Sequence, residues 1–335
     1  MGEGKRYSTI YDVATRAGVS IGTVSKALNK PSQVSEATRR RVLDAVEATD
    51  FVPKAAATSR ARRGTGRIGV FAPFSSFASF GQRLNGILAT TASGGTEVAV
   101  FDVESAAESA GVLESLPTTR ALDGLIVMSV PFGDKVAEAM RRGKLPVVLV
   151  EIVGHGFPSV TTDDEAGGRL AATTLWEAGR RRLAFIGHRQ VQPDLATPSR
   201  RRLHGFEAEL IERGSPPDPS FRLLEPNDFE RAREDVEKLL RSDRPPDGIF
   251  AHTDELAAAA QIAARSAGLR VPEDVAIVGF DDSLVAQTSD LTTIRQPLQE
   301  SGEWAASTLL AMIANPGSAV PSLTMPVSLV RRGSA

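Results

Sequence analysis

Between Thr9 and Asn29 the sequence sets small polar residues and one lysine at helical spacing around a glycine turn. That chemistry suits the phosphates and base edges of duplex DNA, not bond making. Ala14, Val19, Val24 and Leu28 are spaced to lock two helices across Gly18, which leaves Ser20, Ile21, Gly22, Ser25, Lys26 and Asn29 near the exposed face. The Ser20 hydroxyl and backbone can meet a phosphate, and the Lys26 ammonium a guanine edge. An ordinary helical hairpin with Gly18 as C-cap is the plainer reading of Ala-x-x-x-Gly alone.

A second group of polar residues follows expected strands. Asp281 and Asp282 come after 275–280, Thr253 and Asp254 after 248–251, and Glu151 after 146–150. Carboxylates at the carboxyl ends of parallel strands face the crevice where such folds bind ligands, and each accepts two hydroxyl hydrogen bonds, as a sugar requires. Helix capping or a turn is assigned to Asp282 and competes for Asp254; a surface turn competes for Glu151. Enzymatic equipment is sparse. The four histidines (His155, His188, His204, His252) show no His-x-x-x-His pair and there is no cysteine, so neither a metal site nor a thiol nucleophile nor any cofactor is expected. Gly64, Gly66 and Gly69 mimic a dinucleotide fingerprint but precede a strand where that fingerprint follows one. Asp163 and Asp164 precede a helical stretch and read as caps.

The elements that must position these residues divide at about residue 66. The first 50 residues predict three helices: 10–17, capped by Thr9 with Asp12 in its first turn and stopped by Gly18; 21–29, capped by Ser20; and 36–49, capped by Ser35. A short Ala-rich helix at 54–61 and a linker at 62–66 follow Pro53. Strands are then expected at 68–72, 97–101, 124–129, 146–150, 183–187, 221–224, 248–251 and 275–280, with helices between them. That alternation predicts βαβ units and parallel sheets in two lobes. Charge divides at the same place: residues 1–66 hold 12 Lys+Arg against 6 Asp+Glu, although the whole chain is at -2. A basic head on an acidic body suits a polyanionic partner. The apolar runs are too short to span a bilayer, and the cysteine-free chain without a signal-like start is expected in the cytoplasm.

The run Tyr11-Asp12-Val13-Ala14-x-x-Ala17-Gly18-Val19-Ser20-x-x-Thr23-Val24-Ser25-Lys26-x-Leu28-Asn29 resembles the lac-repressor (LacI/GalR) family of bacterial transcriptional regulators. So do Val34-Ser35-x-x-Thr38-Arg39, Phe51-x-Pro53, Arg202-Leu203-x-Gly205-Phe206, the segment from Val271 to Asp282 and that from Leu291 to Pro297. The resemblance implies a homodimer that sets two recognition helices in successive major-groove half-sites of a near-palindromic operator. Carried over by position, Ile21, Gly22 and Lys26 read bases, whereas Thr9, Ser20, Thr23, Ser25, Asn29, Ser35 and Thr38 hold phosphates or order the head. Lys54, Ala57 and Arg60 fall in the family's minor-groove hinge helix, with Arg60 where the family wedges a leucine. Arg202 matches a ligand-clasping arginine, Phe229 a ring-stacking aromatic, and Glu151, Thr253, Asp254 and Asp281 further ligand positions. Arg200 and Arg201 read as a solvated basic face. Thr253 and Met128 depart from the family's polar pattern.

The expected fold is an all-α helix-turn-helix head (1–52), a hinge helix and linker (53–66), and a two-lobed α/β periplasmic-binding-protein-like sensor with parallel sheets (67–331). The lobes are expected as 67–161 with 295–322, and 162–294 with 323–331. The expected function is a transcriptional repressor whose binding to double-stranded DNA is controlled by a small carbohydrate, with no membrane partner. A purine or other metabolite is the alternative effector. A two-lobed transport protein and an enzyme are the readings from other classes.

Overall fold

The computed structural model describes residues 9–29, 33–49, 65–103, 113, 121–188, 197–225, 228–317 and 320–335. The chain divides into two compact units, Met1–Gly66 and Arg67–Ala335. The expected hinge, with Lys54, Ala57 and Arg60, lies outside the described residues.

The head carries α1 (Ile10–Ala17), α2 (Ile21–Asn29) and α3 (Glu36–Thr49). Thr9 N–H donates to the Asp12 carboxylate at 2.7 Å, closing the start of α1, and Gly18 ends it at φ 62, where a side chain would be strained. Val13, Ala14, Ala17, Val24, Ala27, Val42 and Ala45 form the core, with Val19, Val34 and Val46 packed against it. This small-residue core draws the three helices together without aromatic bulk. The side chains of Leu28 and Asn29 lie outside the described residues.

The body holds two six-stranded sheets. The first contains β1 (Arg67–Ala72), β2 (Glu97–Asp102), β3 (Gly124–Met128), β4 (Val147–Val150), β5 (Ser159–Thr162) and β11 (Leu323–Met325) in the order β11-β5-β4-β3-β1-β2. The second contains β6 (Leu183–His188), β7 (Arg222–Glu225), β8 (Gly248–Ala251), β9 (Ala276–Asp281), β10 (Thr292–Arg295) and β12 (Ser328–Val330) in the order β12-β10-β9-β8-β6-β7. Among the described residues all pairings are parallel except β10 with β12. Buried on both faces, β3 and β9 read as unbroken apolar runs, which is why they were legible. In contrast, β5 and β10 are Thr-rich and only four residues long, and were not expected as strands.

The chain crosses between lobes at 162–164, 295–298 and 325–328. The last crossing corrects the expected boundary at 323. Leu323–Met325 pairs with Val160–Thr162 in the first sheet, and only β12 joins the second. The second lobe also continues past 331, because buried Ser334 accepts from Thr292 N–H at 2.8 Å and donates to the Ile277 carbonyl at 2.6 Å.

Each lobe has a helix pair packed closely enough for backbone to meet backbone. In the first lobe these are α4 (Ser79–Thr91) and α11 (Leu298–Ala314); in the second, α6 (Asp164–Glu177) and α7 (Pro198–Glu212). Glycine makes the approach possible. A Cβ on Gly86 would lie 2.1 Å from the Gln299 carbonyl oxygen, and one on Gly168 2.0 Å from that of Arg202. These crossings hold Arg83 of α4 and Arg202 of α7 at corresponding places in the two lobes.

Candidate nucleic-acid interface and ligand cleft

The second helix of the head presents one open face. Ser20, Ile21, Gly22, Ser25 and Lys26 are exposed, whereas Val24 and Ala27 on the opposite side are buried. The Ser20 hydroxyl accepts from Thr23 N–H at 3.2 Å and lies 2.9 Å from the Thr23 hydroxyl. Ser35 repeats the arrangement with Thr38 at the start of α3, at 3.3 and 2.9 Å. Thr9 uses its hydroxyl on Asp12. The start of α2 therefore carries remaining backbone N–H groups, the positive end of the helix dipole and a hydroxyl on one surface, which is the chemistry of a phosphate contact. Lys26 lies on the same surface beyond Gly22, where a Cβ would meet the Ser20 hydroxyl at 3.8 Å.

In the body, the carboxyl ends of both sheets meet a buried polar cluster. Glu151 follows β4 and is 4% exposed; Asp281 ends β9 and is 6% exposed. Both adopt left-handed backbone, at φ 62 and 119. Such strain in non-glycine residues is held in place by surrounding structure and concentrates at ligand sites. Glu151 Oε1 accepts from Arg83 Nη2 at 2.5 Å and from the Thr162 hydroxyl at 3.0 Å. Gln296, in the second crossing segment, takes Arg83 Nη2 and the Thr162 hydroxyl on its carbonyl oxygen, at 3.1 and 3.0 Å, and donates its amide to Asp281 at 2.5 Å.

From the other lobe, Arg202 enters across the Phe280 ring, 3.4 Å from its centroid. It donates through Nε to Asp164 at 2.8 Å and through Nη1 to the His252 carbonyl at 2.6 Å, and lies 3.9 Å from Asp281. Arg201 forks onto the other Asp164 oxygen at 2.9 and 2.6 Å. An ion pair this deep persists only when both charges are paired and hydrogen-bonded.

Protonation follows from these neighbours. Burial pushes the Asp281 carboxyl up to about 8; Arg202 opposes the rise and Asp254 adds to it. Burial also raises Asp164, against the pull of Arg202 and Arg201. Burial alone would raise Glu151 too, but Arg83, Arg201 and Arg202 outweigh it and hold Glu151 below the usual carboxylate range. His252 is held well below its usual value by burial and by Arg202, so it stays neutral.

Of the residues expected at a ligand, Arg202, Asp281 and Glu151 come together here. Glu151 is not in a surface turn, and Arg201 is not on a solvated face. Thr253 caps α9 (Asp254–Ser266), accepting from Leu256 N–H at 3.3 Å. Asp254 is fully buried, with one oxygen accepting from Ser283 N–H at 2.7 Å and the other from the Thr293 hydroxyl at 2.6 Å. Its carboxylate clamps the turn after Asp281 to β10. Phe229 opens α8 (Phe229–Leu240) after β7, is 38% exposed, and stands outside the buried cluster. Asp282 is no cap: it pairs with Arg295 and Arg332, both at 2.5 Å, while Ser283 caps the next helix. Met128 is core. Asp163 caps α6 as expected.

Sequence reasoning passed over Arg83, Thr162 and Gln296, and it misassigned Asp164, which is no cap but the buried partner of Arg201 and Arg202. Arg83 alone carried a signal, as a charge on the apolar face of α4 beside Phe80 and Ile87. Among the described residues no group of acidic or histidine side chains could hold a metal ion, and no helix is long and apolar enough to cross a membrane.

Comparison with known proteins matches two separate parts of the chain. The family described as "Bacterial regulatory proteins, lacI family" matches residues 9–54, and "Periplasmic binding protein-like domain" matches residues 172–335. The HTH-type transcriptional repressor CytR of Escherichia coli (strain K12) is 31% identical over 333 residues, covering 98% of this chain and 96% of the relative. Among solved structures, the lac repressor dimer bound to operator and the anti-inducer ONPF superposes with TM-score 0.77 at 26% identity, covering 98% of this chain and 99% of that one. The transcriptional regulator CelR in complex with cellobiose gives TM-score 0.71 at 26% identity, covering 98% and 100%.

Proposed function

Because this chain belongs to the LacI family of DNA-binding transcriptional regulators, we propose that it is a cytoplasmic homodimeric repressor released from a near-palindromic operator by a small carbohydrate. The observation that carries this reading is the open face of α2, where Ser20, Ile21 and Gly22 at the helix start and Ser25 and Lys26 beyond them are exposed together. Ile21 and Lys26 read base edges, with Gly22 allowing close approach. Thr9, Ser20, Thr23, Ser25, Asn29, Ser35 and Thr38 hold phosphates or order the head that does so. Lys54, Ala57 and Arg60 belong to the hinge segment. There Arg60 is suited to a narrow minor groove by charge, not to unstacking a base step as an apolar wedge does.

The effector sits between the lobes against Glu151, Arg202 and Asp281, with Phe229 as the stacking aromatic, while Thr253 caps α9 and Asp254 holds the turn after Asp281. The cellobiose complex of CelR, and a LacI family regulator from Enterococcus faecium with bound ribose at 26% identity, support a sugar. Effector binding favours one relation of the two lobes, and that difference in free energy couples the cleft to the DNA.

The test is fluorescence anisotropy of the full-length protein on duplexes selected from a random pool, with and without a panel of neutral sugars. Selection should yield a near-symmetric site, and one sugar should weaken binding. A protein that selects no sequence at low salt defeats the DNA reading. One whose binding every sugar tightens or leaves unchanged defeats release by a carbohydrate.

A further inference from the structure

Arg83 breaks the pattern of the helix that carries it. The buried face of α4 is Phe80, Arg83, Gly86, Ile87 and Thr91, and Arg83 is 2% exposed. A guanidinium is buried at this depth only where its donors find acceptors. Nη2 does, on Glu151 and Gln296. The buried Nε of Arg83 has no hydrogen-bond partner, nor has the buried Oε2 of Glu151, which the Arg201 Nη2 approaches only to 3.6 Å. One ion pair therefore offers one unused donor on its cationic member and one unused acceptor on its anionic member. Gln296 serves neither: its carbonyl takes Arg83 and Thr162, and its amide donates to Asp281.

We propose that Arg83 is a specificity-determining residue of the ligand cleft, pairing with Glu151 to read a hydroxyl of an uncharged ligand and to reject ligands that place a carboxylate or phosphate there. The inference rests on the reading of this cleft as the effector site and adds the ligand's charge class. A hydroxyl both accepts and donates, so it satisfies N–H and carboxylate oxygen together. An anionic group satisfies the N–H but meets the Glu151 charge where little water screens it, and an ammonium meets Arg83 in the same way. Arg83 and Glu151 are each other's counterion, so this pair has no net charge to offer. A polar site of this kind discriminates strongly, because a ligand lacking the hydroxyl leaves both buried groups unpaired.

Isothermal titration of the full-length protein tests it, with a panel of neutral mono- and disaccharides and nucleosides set against glucose 6-phosphate and gluconate. The wild type should bind at least one neutral compound and neither anion. Arg83→Lys, which keeps the charge but loses the Nε donor, should weaken that binding on the order of 10- to 100-fold. The double substitution Arg83→Met with Glu151→Gln removes both buried charges, so it should fold where a single neutralisation leaves one charge stranded, and it should lose binding by at least as much. Wild type that binds either anion as tightly as the best neutral compound, or that binds no neutral compound, overturns the proposal, as does Arg83→Lys with wild-type affinity. Arg202→Ala separates the two readings. Binding lost in Arg202→Ala but untouched in both Arg83 variants ends only the role of Arg83. Binding untouched in all three places the ligand elsewhere and ends the effector-site reading with it.

Discussion

Arg201 of the second lobe reaches Glu151 of the first: its Nη2 lies 3.6 Å from Glu151 Oε2 and 2.6 Å from Asp164. One guanidinium thus spans the cleft. Its neighbour Arg202 takes the other Asp164 oxygen and stays within its own lobe. The two arginines differ in depth, with side chains 28% and 4% exposed. Arg202→Ala takes the buried donor from Asp164 Oδ1 and from the His252 carbonyl and should destabilise the body by about 3–5 kcal/mol, whereas Arg201→Ala should cost about 1 kcal/mol. Urea unfolding of both variants followed by circular dichroism checks the order, and equal losses would count against it.

The helix crossings give a prediction from shape alone. Gly86→Ala and Gly168→Ala each place a methyl about 2 Å from a backbone oxygen, so the paired helices must separate. The expected loss is about 1–3 kcal/mol or more. Gly81, also in α4, has nothing within 4 Å of its Cβ position, and Gly81→Ala should be neutral or stabilise by up to about 1 kcal/mol. Denaturant midpoints of the three variants decide it; a Gly86→Ala midpoint matching that of Gly81→Ala would show that the helices are not in contact.

Asp281 makes stability depend on pH. Its carboxyl is raised to about 8 by burial, against Arg202, so the folded protein keeps a proton that the unfolded chain releases above about pH 4. The stabilisation this proton brings is complete below that value and is lost as pH rises toward 8. Asp281→Asn is neutral throughout, so its stability relative to wild type should climb between pH 5 and 8, by at most about 1.4 kcal/mol per pH unit. Glu151, shifted downward, acts in the opposite sense at low pH but is present in both proteins. Melting temperatures at four pH values provide the comparison, and a constant difference would mean that Asp281 is ionised.

On the head, Lys26→Ala should relax base preference, while Ser25→Ala should weaken binding evenly across sequences. Ser20→Ala removes the hydroxyl that accepts from Thr23 N–H and should cost the head about 1 kcal/mol besides its phosphate contact. Affinity should fall with salt by roughly 0.9 log units per log unit for each phosphate neutralised. Anisotropy on operator and scrambled duplexes measures all of these. Retention of full operator discrimination by both Lys26→Ala and Ser25→Ala would place the recognition surface elsewhere.

The head was legible because its determinants are local. Thr9, Gly18, Ser20 and Ser35 act on residues within four positions, and the buried face of α2 repeats at helical period. The same holds for β3 and β9, whose apolar runs announce strands covered on both sides. Asp281, Arg202 and Glu151, which lie together in the structure, were singled out by their places after strands or in a motif. The roles of Asp254 and Arg201 were not legible, because a buried charged side chain and a solvated one look alike in sequence.

What the linear order of residues determined by itself was the kind of protein: capped helices at the front, alternating strands and helices behind, and charge divided between them. What only the tertiary structure decided was which polar groups meet. Arg83 and Glu151 are 68 positions apart, and Arg83 and Gln296 are 213 apart. Helix and strand signals depend on neighbours within a few residues, so they survive in the sequence. Ion pairing at the cleft depends on three chain crossings and two glycine contacts, and those exist only once the lobes have packed.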